Sequence, residues 1–231
     1  MDERYYAKYA VAAIRGRMKR LGTINRIPES IREKDLEEFS LQDQEEIFRL
    51  AKEDGIDLYH FKRTNLLPRV HKTLGFLKGV WFESLLDVGS GRGVFLFPFL
   101  ETFPYVKVQS IDLLDKRVAL LKDVSEGGVK GLKAFQGDIC AQPLANDSVD
   151  VVTLLEVLEH IPNVEQAIRA AVNMAREYVV VTVPSKEDDN PEHIHLLTKA
   201  KLTAYFNACG VTKLSFDGVN GHLFMVAKIG E

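Results

Sequence analysis

The chain has 231 residues, 46% hydrophobic and 27% charged, which is enough to bury one large core. Its 30 Lys and Arg against 33 Asp and Glu leave a formal charge of −3, so the global basic excess of sequence-independent nucleic-acid binding is absent and no nucleic-acid partner is expected. Two isolated cysteines, Cys140 and Cys209, and the lack of any apolar run near ~18–20 residues exclude a disulfide framework, a structural zinc site and a membrane span, and point to a reducing cytoplasm.

The opening MDERYYAKYA lacks the apolar stretch of a secretory signal. Up to about residue 80 apolar residues recur at helical spacing among charges, so residues 1–80 are expected to form a helical cap that selects the substrate. In the first helix Tyr5, Tyr6, Tyr9, Ala10, Ala13, Ile14 and Arg17 share a face. Seven basic residues (Arg4, Lys8, Arg15, Arg17, Lys19, Arg20, Arg26) against two acidic ones lie in the first 26 positions, and residues 29–54 reverse this with ten Asp/Glu against four Lys/Arg. These blocks are expected to pair with one another. A capped helix should begin near Ser40.

From residue 84 short β-branched runs alternate with helical stretches, the pattern of a parallel sheet with crossover helices. SLLDVG, VKVQSID, LKAFQGD, VDVVTLLE and YVVVTVP read as strands, with helices near 92–101, 115–124, 163–176 and 198–208. KLSFDGV and HLFMVAKI follow, joined at Asn220-Gly221, which tolerates the positive φ of a type I′ hairpin. The expected fold is α/β, a doubly wound, mostly parallel seven-stranded sheet over residues 81–231 with a C-terminal hairpin. Trp81 and Phe82 are expected to pack the last N-terminal helix on the sheet, Phe95, Phe97, Phe99 and Phe103 to cluster around the first crossover helix, and Pro98 to bend or shorten it.

The strand Leu85-Leu86-Asp87-Val88 runs into Gly89, Ser90, Gly91, Arg92 and Gly93, where missing Cβ atoms let a ligand lie on backbone N–H groups at a helix start. Asp112 lies 19 residues beyond Gly93, close to the ~20-residue offset at which a second-strand carboxylate reaches ribose hydroxyls. Asp138, after the third strand, falls at the same sheet edge and can accept from an exocyclic amine of adenine.

With DVGSGRG at 87–93, the acid in SIDLLDKR, QGDI at 136–139 and VDVVTLLEVLEHIPN at 149–163, the chain resembles class I S-adenosylmethionine-dependent methyltransferases of the type 11 and ubiquinone-pathway group over roughly residues 80–231. That resemblance implies S-adenosylmethionine as cofactor. Asp87, Gly89, Ser90, Gly91 and Gly93 would shape the site for the methionine part, Asp112 would bind the ribose, Leu113 would pack on adenine, and Asp138 with Ile139 would hold it. Leu155 or Glu156 would line the pocket after the fourth strand. A nicotinamide dehydrogenase shares the glycines and the ribose acid, but Val94 stands where the last glycine of its fingerprint would fall.

Methyl transfer from a sulfonium is an in-line displacement, so alignment and proton removal are what the protein supplies. If EVLEH is helical, Glu156, Glu159 and His160 share a face, and His193 and His195 of PEHIH would point the same way in an extended loop. Three readings stay open: His160 or His193 as general base, with Glu156 beside it; a divalent metal on Glu156, Glu159, His160 and His193, possible but not favoured; or a purely structural network. His222 and Cys140 are given no chemical role. A small-molecule acceptor is expected, oxygen before nitrogen or carbon, covered by residues 1–80 and the acidic loop 185–190. The alternatives are a metal-assisted RNA 2′-O-methyltransferase and a non-catalytic cofactor-binding protein; the sequence leaves the oligomeric state open.

Overall fold

A computed structural model describes residues 5–187 and 189–230; Arg4 of the basic block and Asp188 of the acidic loop lie outside them. Four N-terminal helices, α1 (Ala7–Arg20), α2 (Glu29–Arg32), α3 (Leu41–Glu53) and α4 (Pro68–Leu77), precede an alternation of strands and helices. These are β1 (Ser84–Val88), α5 (Leu96–Thr102), β2 (Lys107–Asp112), α6 (Asp115–Glu126), β3 (Leu132–Gln136), β4 (Val149–Leu155), α7 (Val164–Met174), β5 (Ala175–Pro184), α8 (Lys199–Ala208), β6 (Leu214–Val219) and β7 (His222–Lys228).

The strands form one seven-stranded sheet in the order β3-β2-β1-β4-β5-β7-β6. Strands β1 to β5 are parallel to one another, and β7 runs antiparallel to both β5 and β6. The hairpin turn has φ of 36° at Asn220 and 85° at Gly221, as the Asn-Gly pair requires. Because β1 and β2 alternate their side chains, the sheet buries a core on each face. Leu85, Val108, Val151 and Phe224 face α1, α4 and α5, whereas Leu86, Ile111, Val152 and Met225 face α7 and α8.

Two boundaries differ from expectation. The chain turns through residues 91–95 before α5 begins at Leu96, which puts Pro98 in the first turn of that helix, where a missing N–H costs little. Helix α7 ends at Met174 because Ala175 already pairs with Val149 in the sheet.

Residues 5–80 share the core of the sheet. Helix α1 is buried on most of its circumference, with Arg17 exposed and Arg15 buried. Tyr6 and Tyr9 pack on Phe97, the Tyr9 and Phe97 rings stacking at 5.1 Å, while Phe95, Phe99 and Phe103 form a separate aromatic row. Phe82 is buried against that row, but Trp81 is 83% exposed and does not pack a helix on the sheet. Ser40 caps α3 in a reciprocal capping box with Asp43. The charge blocks do pair, Lys8 with Glu37 and Arg26 with Glu53 and Asp54, while Lys34 pairs with Asp43 inside the second block.

Candidate functional site

The carboxyl ends of β1, β2, β3 and β4 open into one cavity of about 740 Å³, within the range of ligand sites in general. Gly89, Asp112, Leu113, Asp138, Ile139 and Glu156 line it, together with Cys140, Val157 and His160. Among the described residues, none from positions 5–80 lines it. The 1–80 segment instead adjoins the glycine turn from outside, where Arg92 lies over the Tyr59 ring and donates to the His60 carbonyl at 3.2 Å.

The turn works through its backbone. Gly89, Gly91 and Gly93 have φ of 66°, 57° and 86°, and a Cβ at Gly89 would stand 2.7 Å from Val157 Cγ2. Asp112 is buried, yet its carboxylate is at the cavity wall, accepting the Gly91 N–H at 3.1 Å and the Leu114 N–H at 2.9 Å. One carboxylate thus ties the end of β2 to the glycine turn. Asp138 accepts the Cys140 N–H at 2.8 Å, which turns the chain so that Ile139 and Cys140 continue the wall. Leu113 is 61% exposed at the rim, free to cover a flat ring.

Other expected site residues face elsewhere. Ser90 is buried and accepts from the Ser110 hydroxyl at 2.7 Å, so its side chain braces β2 instead of facing the cavity. Leu155 packs into the core on the α4 side, and the chain reaches the cavity one residue later, at Glu156. Asp87 lies beneath the turn, accepting the Thr153 hydroxyl at 2.7 Å. Complete burial pushes its carboxyl up to about 6. Because that value lies above the ordinary 3.8, the stability it supports is full at low pH and is lost as pH rises toward and through about 6. Asp87→Asn should remove this loss: the difference in unfolding free energy between variant and wild type, measured by denaturant titration, should grow from pH 4 to 7 by up to about 3 kcal/mol. A difference independent of pH contradicts it.

The segment after β4 is not an α-helix, the condition under which Glu156, Glu159 and His160 would align. Glu156 has φ of 58°, a left-handed conformation rare for a residue with a side chain, and a single 3₁₀ turn, Leu158–His160, follows. The kink breaks the helical register of Glu156 with Glu159 and His160: Glu156 and His160 both line the cavity, whereas Glu159 is fully buried. Glu156 instead meets His222 of β7, its Oε2 standing 3.4 Å from Nε2. His222, assigned no role from sequence, therefore touches a cavity residue from a strand 66 positions away, a contact no local pattern announces.

Glu159, His160 and His193 do come together, their ligating atoms all within 4.8 Å of one another. The loop after β5 is latched there: Ile194 N–H donates to the Glu159 carbonyl at 2.9 Å, and the His160 and His193 rings lie 4.8 Å apart. His160 Nδ1 is 2.9 Å from the Glu192 carbonyl. A carbonyl can only accept, so Nδ1 carries the hydrogen and Nε2 is left as the basic nitrogen. His195 turns away toward the Pro162 carbonyl. Burial pushes the Cys140 thiol up, which suits a wall residue and not a nucleophile.

Residues 86–180 match the methyltransferase-domain family Methyltransf_11. No curated protein sequence matches the chain. Among solved structures, the YcgJ protein of Bacillus subtilis is 15% identical with a TM-score of 0.59, covering 70% of this chain and 99% of its own. A SAM dependent methyltransferase of Aquifex aeolicus is 19% identical, covering 72% of this chain and 93% of its own, also at 0.59. One from Archaeoglobus fulgidus is 14% identical, covering 78% and 98%, again at 0.59. At these identities the likeness is one of fold, and it agrees with the seven-stranded sheet. Among the described residues no helix is long and apolar enough to cross a membrane. The glycine turn, the strand order and the matched segment together make residues 86–180 a methyltransferase domain of the type 11 family, built on the class I fold.

Proposed function

We propose that the chain transfers a methyl group from S-adenosylmethionine to a small-molecule acceptor, oxygen being favoured over nitrogen or carbon. The observation that carries this reading is the single cavity that joins Gly89, Asp112, Asp138, Ile139 and His160. Asp112 would accept both ribose hydroxyls, Asp138 and the Ile139 backbone would hold adenine against Leu113, and the turn from Gly89 to Gly93, resting on Asp87 and Ser90, would receive the methionine part. Two of the similar structures are SAM dependent methyltransferases, which supports the same cofactor here. When bound, it supplies an electrophilic methyl on a sulfonium. His160, its Nδ1–H held by the Glu192 carbonyl, presents Nε2 to take the proton of an acceptor hydroxyl. His193 packs against that ring and keeps it in place. The segment 1–80 would meet the acceptor where Tyr59 and Arg92 adjoin the turn.

A divalent ion held by Glu159, His160 and His193 is the second reading, favoured by the convergence of their ligating atoms; it would acidify a bound hydroxyl. The test is incubation of a cell metabolite extract with the enzyme and methyl-labelled cofactor, followed by mass spectrometry. A small molecule gaining one labelled methyl, at a rate unchanged by EDTA, is expected. Loss of activity in EDTA selects the metal reading, and no labelled product from extract, phenolic acids or RNA overturns the proposal.

A further inference from the structure

Glu156 has features that neither the cofactor contacts nor the His160 base explains. Its φ of 58° is strained for a residue with a Cβ, and such strain persists where the surrounding structure enforces it, most often at functional sites. Its backbone N–H is fixed to the Thr182 carbonyl at 2.9 Å. One carboxylate oxygen, Oε2, stands against His222 Nε2, while the other, Oε1, is buried and meets no hydrogen-bond partner. A buried carboxylate oxygen left in this way is costly unless a bound group completes it. Glu156 is also a cavity residue, so a bound ligand can be that group.

The geometry points to the cation that Glu156 awaits. Resting on the cofactor reading above, the ribose lies at Asp112 and the methionine part at Gly89, so the sulfonium that joins them crosses the end of β1. Strand β4 lies directly beside β1, Leu154 pairing with Val88, and Glu156 follows two residues later. We infer that Glu156, held in place by His222, is the counter-charge to the cofactor's sulfonium, and that the site thereby prefers the charged donor to its neutral product. His222 acts only through Glu156 and is a positioning residue. The consequence is chemical: once the methyl has left, the sulfur is a neutral thioether, the attraction is gone, and the product leaves more readily.

Calorimetric titration of the purified chain with S-adenosylmethionine and, separately, with S-adenosylhomocysteine tests this without knowledge of the acceptor. The wild type should prefer the sulfonium about tenfold, the size of a charge contact at partly screened distance. In Glu156→Gln that preference should fall to within about twofold of unity, with product affinity unchanged. His222→Phe should lower it in the same direction, and His222→Gln, which can again donate to Oε2, should restore it. Glu156→Gly removes both carboxylate and strain; it should melt no lower than the wild type and still lack the preference, which a structural role would not allow. An equal ratio of affinities in wild type and Glu156→Gln overturns this inference alone, whereas a wild type that binds neither compound overturns it together with the cofactor reading.

Discussion

Asp112→Asn should weaken S-adenosylmethionine binding about 100-fold while the chain stays folded, as measured by calorimetric titration with circular dichroism as the control. The carboxylate already accepts two backbone N–H groups, from Gly91 and Leu114, and has Arg117 Nη1 at 3.6 Å. An amide keeps the volume but turns one acceptor into a donor, which then faces either a backbone N–H or a ribose hydroxyl. Hydrogen bonds to a charged acceptor contribute about 1.5–3 kcal/mol each, and losing the better part of two gives the hundredfold. Loosening Gly91 adds to the effect because the same carboxylate shapes the glycine turn. Affinity within about threefold of wild type would show that Asp112 holds the turn and not the ligand.

The largest stability effect should come from a place remote from the cavity. Helices α1 and α6 cross at Gly16 and Gly127 so closely that a Cβ on Gly16 would stand 1.9 Å from the Asp123 carbonyl oxygen, and one on Gly127 would stand 1.7 Å from the Ala12 carbonyl oxygen. Both obstacles are backbone, so no side chain can swing aside. Arg15 Nε donates to the Gly127 carbonyl at 2.8 Å, and Arg20 grips Asp123 with two bonds of 2.8 Å, which fixes the crossing. Gly16→Ala should therefore destabilise the chain by about 3 kcal/mol or more, a fall of roughly 6–12 °C in melting temperature. Gly75→Ala is the control: that glycine lies exposed in α4 with nothing within 4 Å of a built Cβ, and alanine there should stabilise by roughly 0.5–1 kcal/mol. Similar melting in both variants would contradict the crossing.

What could be read from the sequence was local. The glycine turn, Asp112 at its offset and Asp138 after β3 follow from spacing along single βα units, and Asn220-Gly221 announces its hairpin in two residues. Ser90 and Leu155 were expected in the site from the resemblance, which matches positions along the chain and not the direction of a side chain: Ser90 turns to Ser110, and Leu155 packs into the core one residue before the kink at Glu156. Glu156 does line the cavity, but its alignment with Glu159 and His160 fails: the helix that would have aligned the three is broken by one left-handed residue, which periodicity does not register. The contacts of His222 with Glu156 and of Gly16 with Asp123 join residues 66 and 107 positions apart. They depend on the order of strands and the crossing of helices, which no local pattern encodes. Trp81 differs again, since its exposure follows from the course of one short loop.

A crystal structure of the chain grown with S-adenosylhomocysteine addresses the central claim directly. The ribose hydroxyls should lie within hydrogen-bond distance of Asp112, the adenine between Leu113 and the Asp138–Cys140 wall, and the sulfur nearest Glu156. Density for the compound at another surface, or Asp112 still engaged only with Gly91 and Leu114 while the cavity stays unfilled, would contradict it.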